Sequence, residues 1–152
     1  MTSEEFDRTM SVALGREMDA NASYSRVAKS ARNAEVKRIF TQLASEEMGH
    51  FEVLSKFKSD PTLQLKVEAP ERDYQVAEVT DLPAFSEDMQ PKDAIALAMK
   101  KEEQAVEFYR GMAVRTSDPS VREIFANLAN MESVHKQKLE NAFVEIGYPE
   151  AF

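Results

Sequence analysis

The sequence predicts an all-α fold, an antiparallel four-helix bundle made of two duplicated αα-hairpins joined by a long crossover. Three observations predict it. Apolar residues recur in alternating steps of four and three along four stretches, the seam of a helix packed in a bundle. A shift of 85 residues carries Val36, Ile39, Phe40, Leu43, Ala44, Glu47 and His50 onto Val121, Ile124, Phe125, Leu128, Ala129, Glu132 and His135, and Ala13, Glu17, Ala20 and Tyr24 onto Ala98, Glu102, Ala105 and Tyr109. The two halves are therefore copies of one unit. Finally, about 30 residues separate the second stretch from the third, more than antiparallel neighbours need, which points to a crossing along the bundle.

Composition narrows the classes open to such a chain. Its 152 residues suit one domain, 1–152, with a proper core, and 43% apolar against 30% charged residues is a globular balance. A net charge of −8 argues against nucleic acid or an anionic membrane as partner. The absence of cysteine excludes disulfides, thiolate zinc sites and iron–sulfur clusters held by this chain. Met1 to Asp7 is polar and acidic, unlike a secretory signal, and no apolar run reaches spanning length, so the cytoplasm is the expected compartment.

The first helix is expected over about 3–31, with Ser3 as N-cap and Glu4, Glu5 and Asp7 in the first turn, where the helix dipole favours them. Its seam is Phe6, Met10, Ala13, Glu17, Ala20, Tyr24 and Val27. A turn at Arg32-Asn33 leads into the second helix, about 34–58, whose seam reads Val36, Phe40, Leu43, Glu47, His50, Leu54 and Phe57 before Asp60-Pro61 breaks it. The crossover, about 59–87, lacks sustained periodicity and contains Pro61, Pro70 and Pro83, with room for a short extended or helical piece. The third helix, about 88–116, carries Ile95, Ala98, Glu102, Ala105, Tyr109 and Met112. Ser117-Asp118-Pro119 is a stop and restart, Asp118 as N-cap and Pro119 in the first turn. The fourth helix, about 119–146, presents Val121, Phe125, Leu128, Glu132, His135, Leu139, Ala142 and Ile146, and Gly147 and Pro149 end it.

Spacing places the polar members of these seams. Glu17 and Glu47 are equidistant from the turn at 32, and Glu102 and Glu132 from the turn at 117. At ~1.5 Å per residue each pair lies roughly 22 Å from its turn, level across its hairpin and near mid-bundle. For most of the 27 acidic residues a solvated helix face is the simplest reading. It fails for Glu17, Glu47, Glu102 and Glu132, which occupy slots their own helices otherwise fill with apolar residues. Four buried carboxylates cost several kcal/mol each unless compensated. Two divalent cations would balance the four charges, with His50 and His135 as neutral nitrogen ligands. Such an oxygen-rich set suits iron or manganese better than zinc or calcium.

A lone Glu, a Glu-x-x-His, a long crossover and the same pair again resembles the ferritin-like di-iron carboxylate superfamily. Within it, Glu17-x-x-Ala20-x-x-x-Tyr24 and Ile39-Phe40 followed by Glu47-x-x-His50 are similar to the erythrin-type helical domain of rubrerythrins. The resemblance covers nearly the whole chain outside the crossover. It implies two iron ions, each ligated by one histidine, with Glu47 and Glu132 bridging and Glu17 and Glu102 terminal; these six residues would be both metal ligands and catalytic groups. It further implies oxidation of Fe(II), reduction of O2 or hydrogen peroxide, or both, in iron handling or oxidative-stress defence. Three departures qualify it. Ala105 stands where rubrerythrins carry a further carboxylate one turn after the third-helix ligand, which weakens the transfer of their peroxide-driven ligand exchange. The four-cysteine rubredoxin module is missing, so an electron donor in trans is expected. Only six residues follow Ile146, too few for the short fifth helix of ferritins, so a homodimer is expected rather than a cage.

Around these ligands, Tyr24 and Tyr109 lie two turns beyond the lone glutamates, either as core aromatics or as hydrogen-bond donors that orient a ligand carboxylate. Glu46 is either a surface residue or the acceptor of a ligand histidine's free ring N–H. Met48 lies between ligands as a haem-binding Met does in bacterioferritins, but nothing else supports haem and none is expected. Glu103, about 100° around the helix from Glu102, falls outside the site. Gly15 and Gly49 cost their helices about 1 kcal/mol each relative to Ala. The outward face with Met48, Gly49 and Phe51 is the expected dimer surface. Two alternatives to the di-iron oxidoreductase stay open: manganese-dependent peroxide dismutation with the same ligands, and a non-catalytic metal-binding or partner protein.

Overall fold

The computed structural model describes residues 2–62, 69–70, 73 and 75–147, and among these there are four α-helices, a 3-10 turn and no strand. The order is α1 (Ser3–Ser30), α2 (Ala34–Ser59), a 3-10 helix (Ala77–Val79), α3 (Pro91–Arg115) and α4 (Pro119–Gly147). Parts of the expected crossover (63–68, 71, 72 and 74), the side chain of Ile146 and the stop at Pro149 lie outside the described residues. Two compact units are present, Met1–Leu65 and Lys66–Phe152. Among the described residues no helix is long and apolar enough to cross a membrane.

In the first unit α1 packs antiparallel on α2. Phe6 meets Phe57 edge-on at 5.7 Å, and Tyr24 meets Phe40 at 5.6 Å. The cap of α1 is Thr2 rather than the expected Ser3. Thr2 Oγ1 accepts from the Glu5 N–H at 3.1 Å while the Thr2 N–H donates to Glu5 Oε2 at 3.1 Å. This reciprocal box needs Glu or Gln three residues beyond the cap, which Thr2 has in Glu5 and Ser3 lacks. Asn33 caps α2, its Oδ1 accepting from the N–H groups of Glu35 and Val36, and Lys37 Nζ donates to the last free carbonyls of α1, Ala28 O and Lys29 O, at 3.1 Å each.

The second unit repeats these devices at the same offset. Asp118 Oδ1 accepts from the N–H groups of Ser120 and Val121, and Arg122 Nη2 donates to Thr116 O and Ser117 O at the end of α3. Tyr109 stacks on Phe125 at 6.3 Å, the counterpart of Tyr24 on Phe40, and Lys92 lies over the Phe143 ring at 5.6 Å, which sets α3 antiparallel to α4. The third helix starts at Pro91, three residues later than expected, because the residue before a proline is pushed out of the α region; Gln90 is extended at ψ 162°.

One device is not repeated. The end of the crossover is bound to α3 and α4 by buried charges. Lys136 on α4 places Nζ 2.7 Å from Asp73, 2.7 Å from Glu78 and 3.2 Å from Glu140. Glu140 Oε2 accepts from the Ala77 N–H at 3.0 Å, and Lys100 Nζ on α3 donates to Ala77 O at 2.9 Å. Burial alone would pull the Lys136 ammonium down; its bonds to Asp73 and Glu78 and the Glu140 charge outweigh that and hold it above its usual range. Burial likewise pushes Asp73 up, but Lys136 and the Gln75 N–H hold it below the usual carboxylate range. A raised Lys136 contributes stability below its unfolded value of about 10.4, lost as pH rises through the folded value. A lowered Asp73 contributes above about 3.9, lost as pH falls through the folded value. The stability difference between the wild type and Asp73→Asn is therefore expected to match at pH 5 and pH 9 and to shrink below pH 4, as read by urea denaturation.

Gly15 lies mid-helix with negative φ, and a Cβ added there would meet nothing within 4 Å. Gly15→Ala is accordingly expected to stabilise the chain by about 0.5–1 kcal/mol, measured by thermal or urea denaturation. A loss of stability would mean that the position is covered in the assembled protein.

Candidate metal centre

The polar residues of the seams gather in one half-site per unit. In the first unit α1 supplies Glu17, and α2 supplies Glu47 and, one turn on, His50. Both carboxylates are almost wholly buried, at 2% and 1% exposure, among Met10, Ala13, Phe40 and Leu43 of the same core. His50 Nδ1 lies 3.6 Å from Glu17 Oε2 and 3.6 Å from Glu47 Oε2. Asn21, one turn beyond Glu17, ties the helices together by donating to Ala44 O at 2.7 Å. In the second unit Glu102 comes from α3, and Glu132 and His135 from α4, all buried. His135 Nδ1 lies 3.7 Å from Glu102 Oε1. The histidine side chains differ in access, 16% exposed at His50 and 6% at His135.

These separations are informative. At 3.6–3.7 Å imidazole and carboxylate are beyond hydrogen-bonding distance. Two ligand atoms each ~2.1 Å from one ion stand about 3.0–3.6 Å apart for angles between a right angle and 120°. The half-sites thus have the spacing of ligands that share a cation. The groups able to hold a metal ion include Glu47 and His50 in the first unit and Glu132 and His135 in the second. Carboxylate oxygens with one imidazole nitrogen per half-site fit a divalent first-row ion such as iron or manganese, and the absence of thiolate removes the softer alternatives.

Of the surrounding residues, Tyr24 and Tyr109 are buried against their phenylalanines. Glu46 is half-buried and accepts from Gln42 Nε2 at 3.2 Å. Met48, Gly49 and Phe51 are half-buried. Glu103 lies outside the half-site, but it is buried at 8% exposure and ion-paired with Lys100, where a solvated position was expected. Sequence reasoning also passed over Lys136 and Glu140. Their only sequence signals are the i,i+3 and i,i+4 charge spacings of Lys100–Glu103 and Lys136–Glu140, which surface pairs share.

Paired helical hairpins, each with buried carboxylates gathered about one imidazole, define a class of metal-binding helical proteins. The rubrerythrin family model matches residues 9–143, and the chain belongs to that family. Two solved structures share its fold, the ferritin-like four-helix bundle. One is an uncharacterised conserved protein from Magnetospirillum magnetotacticum MS-1, 20% identical, with a TM-score of 0.63 over 90% of this chain and 92% of the other. The second is a hypothetical protein from Pyrococcus furiosus, 24% identical, with a TM-score of 0.54 over 92% of this chain and 89% of the other. No curated protein matches the chain.

Proposed function

We propose that this protein is a di-iron oxidoreductase that oxidises Fe(II), reduces O2 or hydrogen peroxide, or does both, in iron handling or oxidative-stress defence. The observation that carries the reading is the half-site repeated in each hairpin, with His50 Nδ1 and His135 Nδ1 3.6–3.7 Å from carboxylate oxygens of the facing helix. In this reading Glu17, Glu47, His50, Glu102, Glu132 and His135 would hold the two ions, Glu47 and Glu132 each serving both and the other four each serving one.

Two bound irons would each change by one electron and so supply the pair that O2 or peroxide takes up. The chain's own residues create the conditions. Four carboxylates offset the cationic charge, and carboxylates can change between one- and two-oxygen ligation as that charge changes. Met10, Phe40, Val106, Phe125 and Leu128 keep water away, so electrostatic interactions there are stronger than in bulk solvent. Tyr24 and Tyr109, buried in the same cores, would orient ligand carboxylates by donating their hydroxyl hydrogens. Reducing equivalents come from a separate donor, and the working assembly is a cytoplasmic homodimer.

The test is the iron and manganese content of protein purified from its own host, followed by stopped-flow oxidation of the Fe(II)-loaded form with O2 and with peroxide. Rapid two-electron oxidation supports the proposal. Native manganese with peroxide dismutation would replace it with the manganese reading, and bound metal inert to both oxidants would leave a binding protein.

A further inference from the structure

The charge network that ties the crossover to the second hairpin is not repeated at the equivalent positions of the first. The positions of Lys100, Glu103, Lys136 and Glu140 are filled in the first hairpin by Gly15, Met18, Phe51 and Ser55, none of them charged. The network is thus an addition to the duplicated plan. It is also costly, because Lys136 and Glu140 are 3% and 1% exposed and such desolvation cancels much of the attraction between the charges. Its geometry shows what it holds. The Ala77 backbone is held by both helices, its N–H by Glu140 on α4 and its carbonyl by Lys100 on α3. Asp73 and Glu78 close on Lys136 from the same stretch of chain. Lys100 and Glu103 flank Glu102 in sequence, and Lys136 follows His135. The crossover is therefore tied to α3 and α4 by residues that neighbour the ligands in sequence.

We propose that Lys136 is a positioning residue, which splints α3 to α4 through the crossover and so fixes the separation of Glu102 from Glu132 and His135. This rests on the metal reading above. A ligand pair that must stand 3.6–3.7 Å apart tolerates little change in helix separation, and an ionic splint with directed hydrogen bonds resists such change better than apolar packing, which can slide.

Co(II) provides the probe, since its visible absorption reports both stoichiometry and ligand geometry. Lys136→Met is expected to weaken binding of one Co(II) equivalent ten- to a hundredfold and alter its spectrum, with helicity of the apoprotein retained; Lys136→Arg should restore both. Should Lys136→Met fail to fold, Lys136→Met/Glu140→Gln removes the buried opposite charges together and is read in the same way, because Asp73 and Glu78 can turn to solvent. Asn33→Ala, which removes the cap of α2, controls for general loss of stability and should leave affinity unchanged. Wild-type binding and spectrum in the folded Lys136 variants would overturn the positioning role alone, as would an equal loss of affinity in Asn33→Ala. A wild-type protein that takes up no Co(II) would overturn the metal reading and this role together.

Discussion

Glu132→Ala is expected to lose both metals and nearly all two-electron oxidation, whereas His135→Ala should lose mainly one metal. The difference follows from the proposed roles. Glu132 would contribute to both coordination spheres and one of the four balancing charges, so its removal costs each ion a ligand and leaves excess positive charge in a core with 2% exposure at that position. His135 is neutral as a ligand and serves one ion, so the other position keeps its full set. Glu123→Ala, at an exposed position on the same helix, is the control and should retain wild-type metal. Metal content by elemental analysis and single-turnover oxidation by stopped flow read all three. If Glu132→Ala keeps wild-type metal, or Glu123→Ala loses as much, the bridging role is wrong.

Removing metal is expected to lower the melting temperature by about 10 °C at pH 7.5. Two contributions act in one direction. An ion present at ~1,000 times its Kd stabilises the native state by about 4 kcal/mol, and each kcal/mol is worth roughly 2–4 °C in a chain of this size. Without the ions, Glu17, Glu47, Glu102 and Glu132 are left as buried charges of one sign. A melting temperature unchanged by exhaustive chelation at pH 7.5 would show that these carboxylates are compensated by something other than metal.

Much of this was legible before any coordinates because the chain states its plan twice. A single buried-looking Glu is ambiguous, but Glu17 and Glu102, Glu47 and Glu132, and His50 and His135 recur at one offset within apolar seams, and chance does not repeat a pattern of that length. The caps at Asn33 and Asp118 and the aromatic pairs Tyr24–Phe40 and Tyr109–Phe125 follow the same offset, since local hydrogen bonds and seam packing depend on residues close in sequence or related by the hairpin register. The cap of α1 was misplaced by one residue, though the helix begins at Ser3 as expected, because Thr2 and Ser3 both suit a cap taken alone and the reciprocal bond from Glu5 decides between them.

What depends on sequence periodicity, therefore, residue order determined by itself: four helices, two hairpins, and the carboxylates and histidine gathered within each. Tertiary structure alone decided which other charges are buried. Lys100, Glu103, Lys136 and Glu140 have the composition and spacing of solvated helix pairs, and the equivalent positions of the first repeat, Gly15, Met18, Phe51 and Ser55, carry no charge. Glu103, Lys136 and Glu140 are buried and Lys100 half-buried where Asp73, Ala77 and Glu78, at least 22 residues away along the chain from any of them, bind α3 and α4. No helical period encodes an encounter of that kind, because it depends on where an aperiodic segment comes to rest.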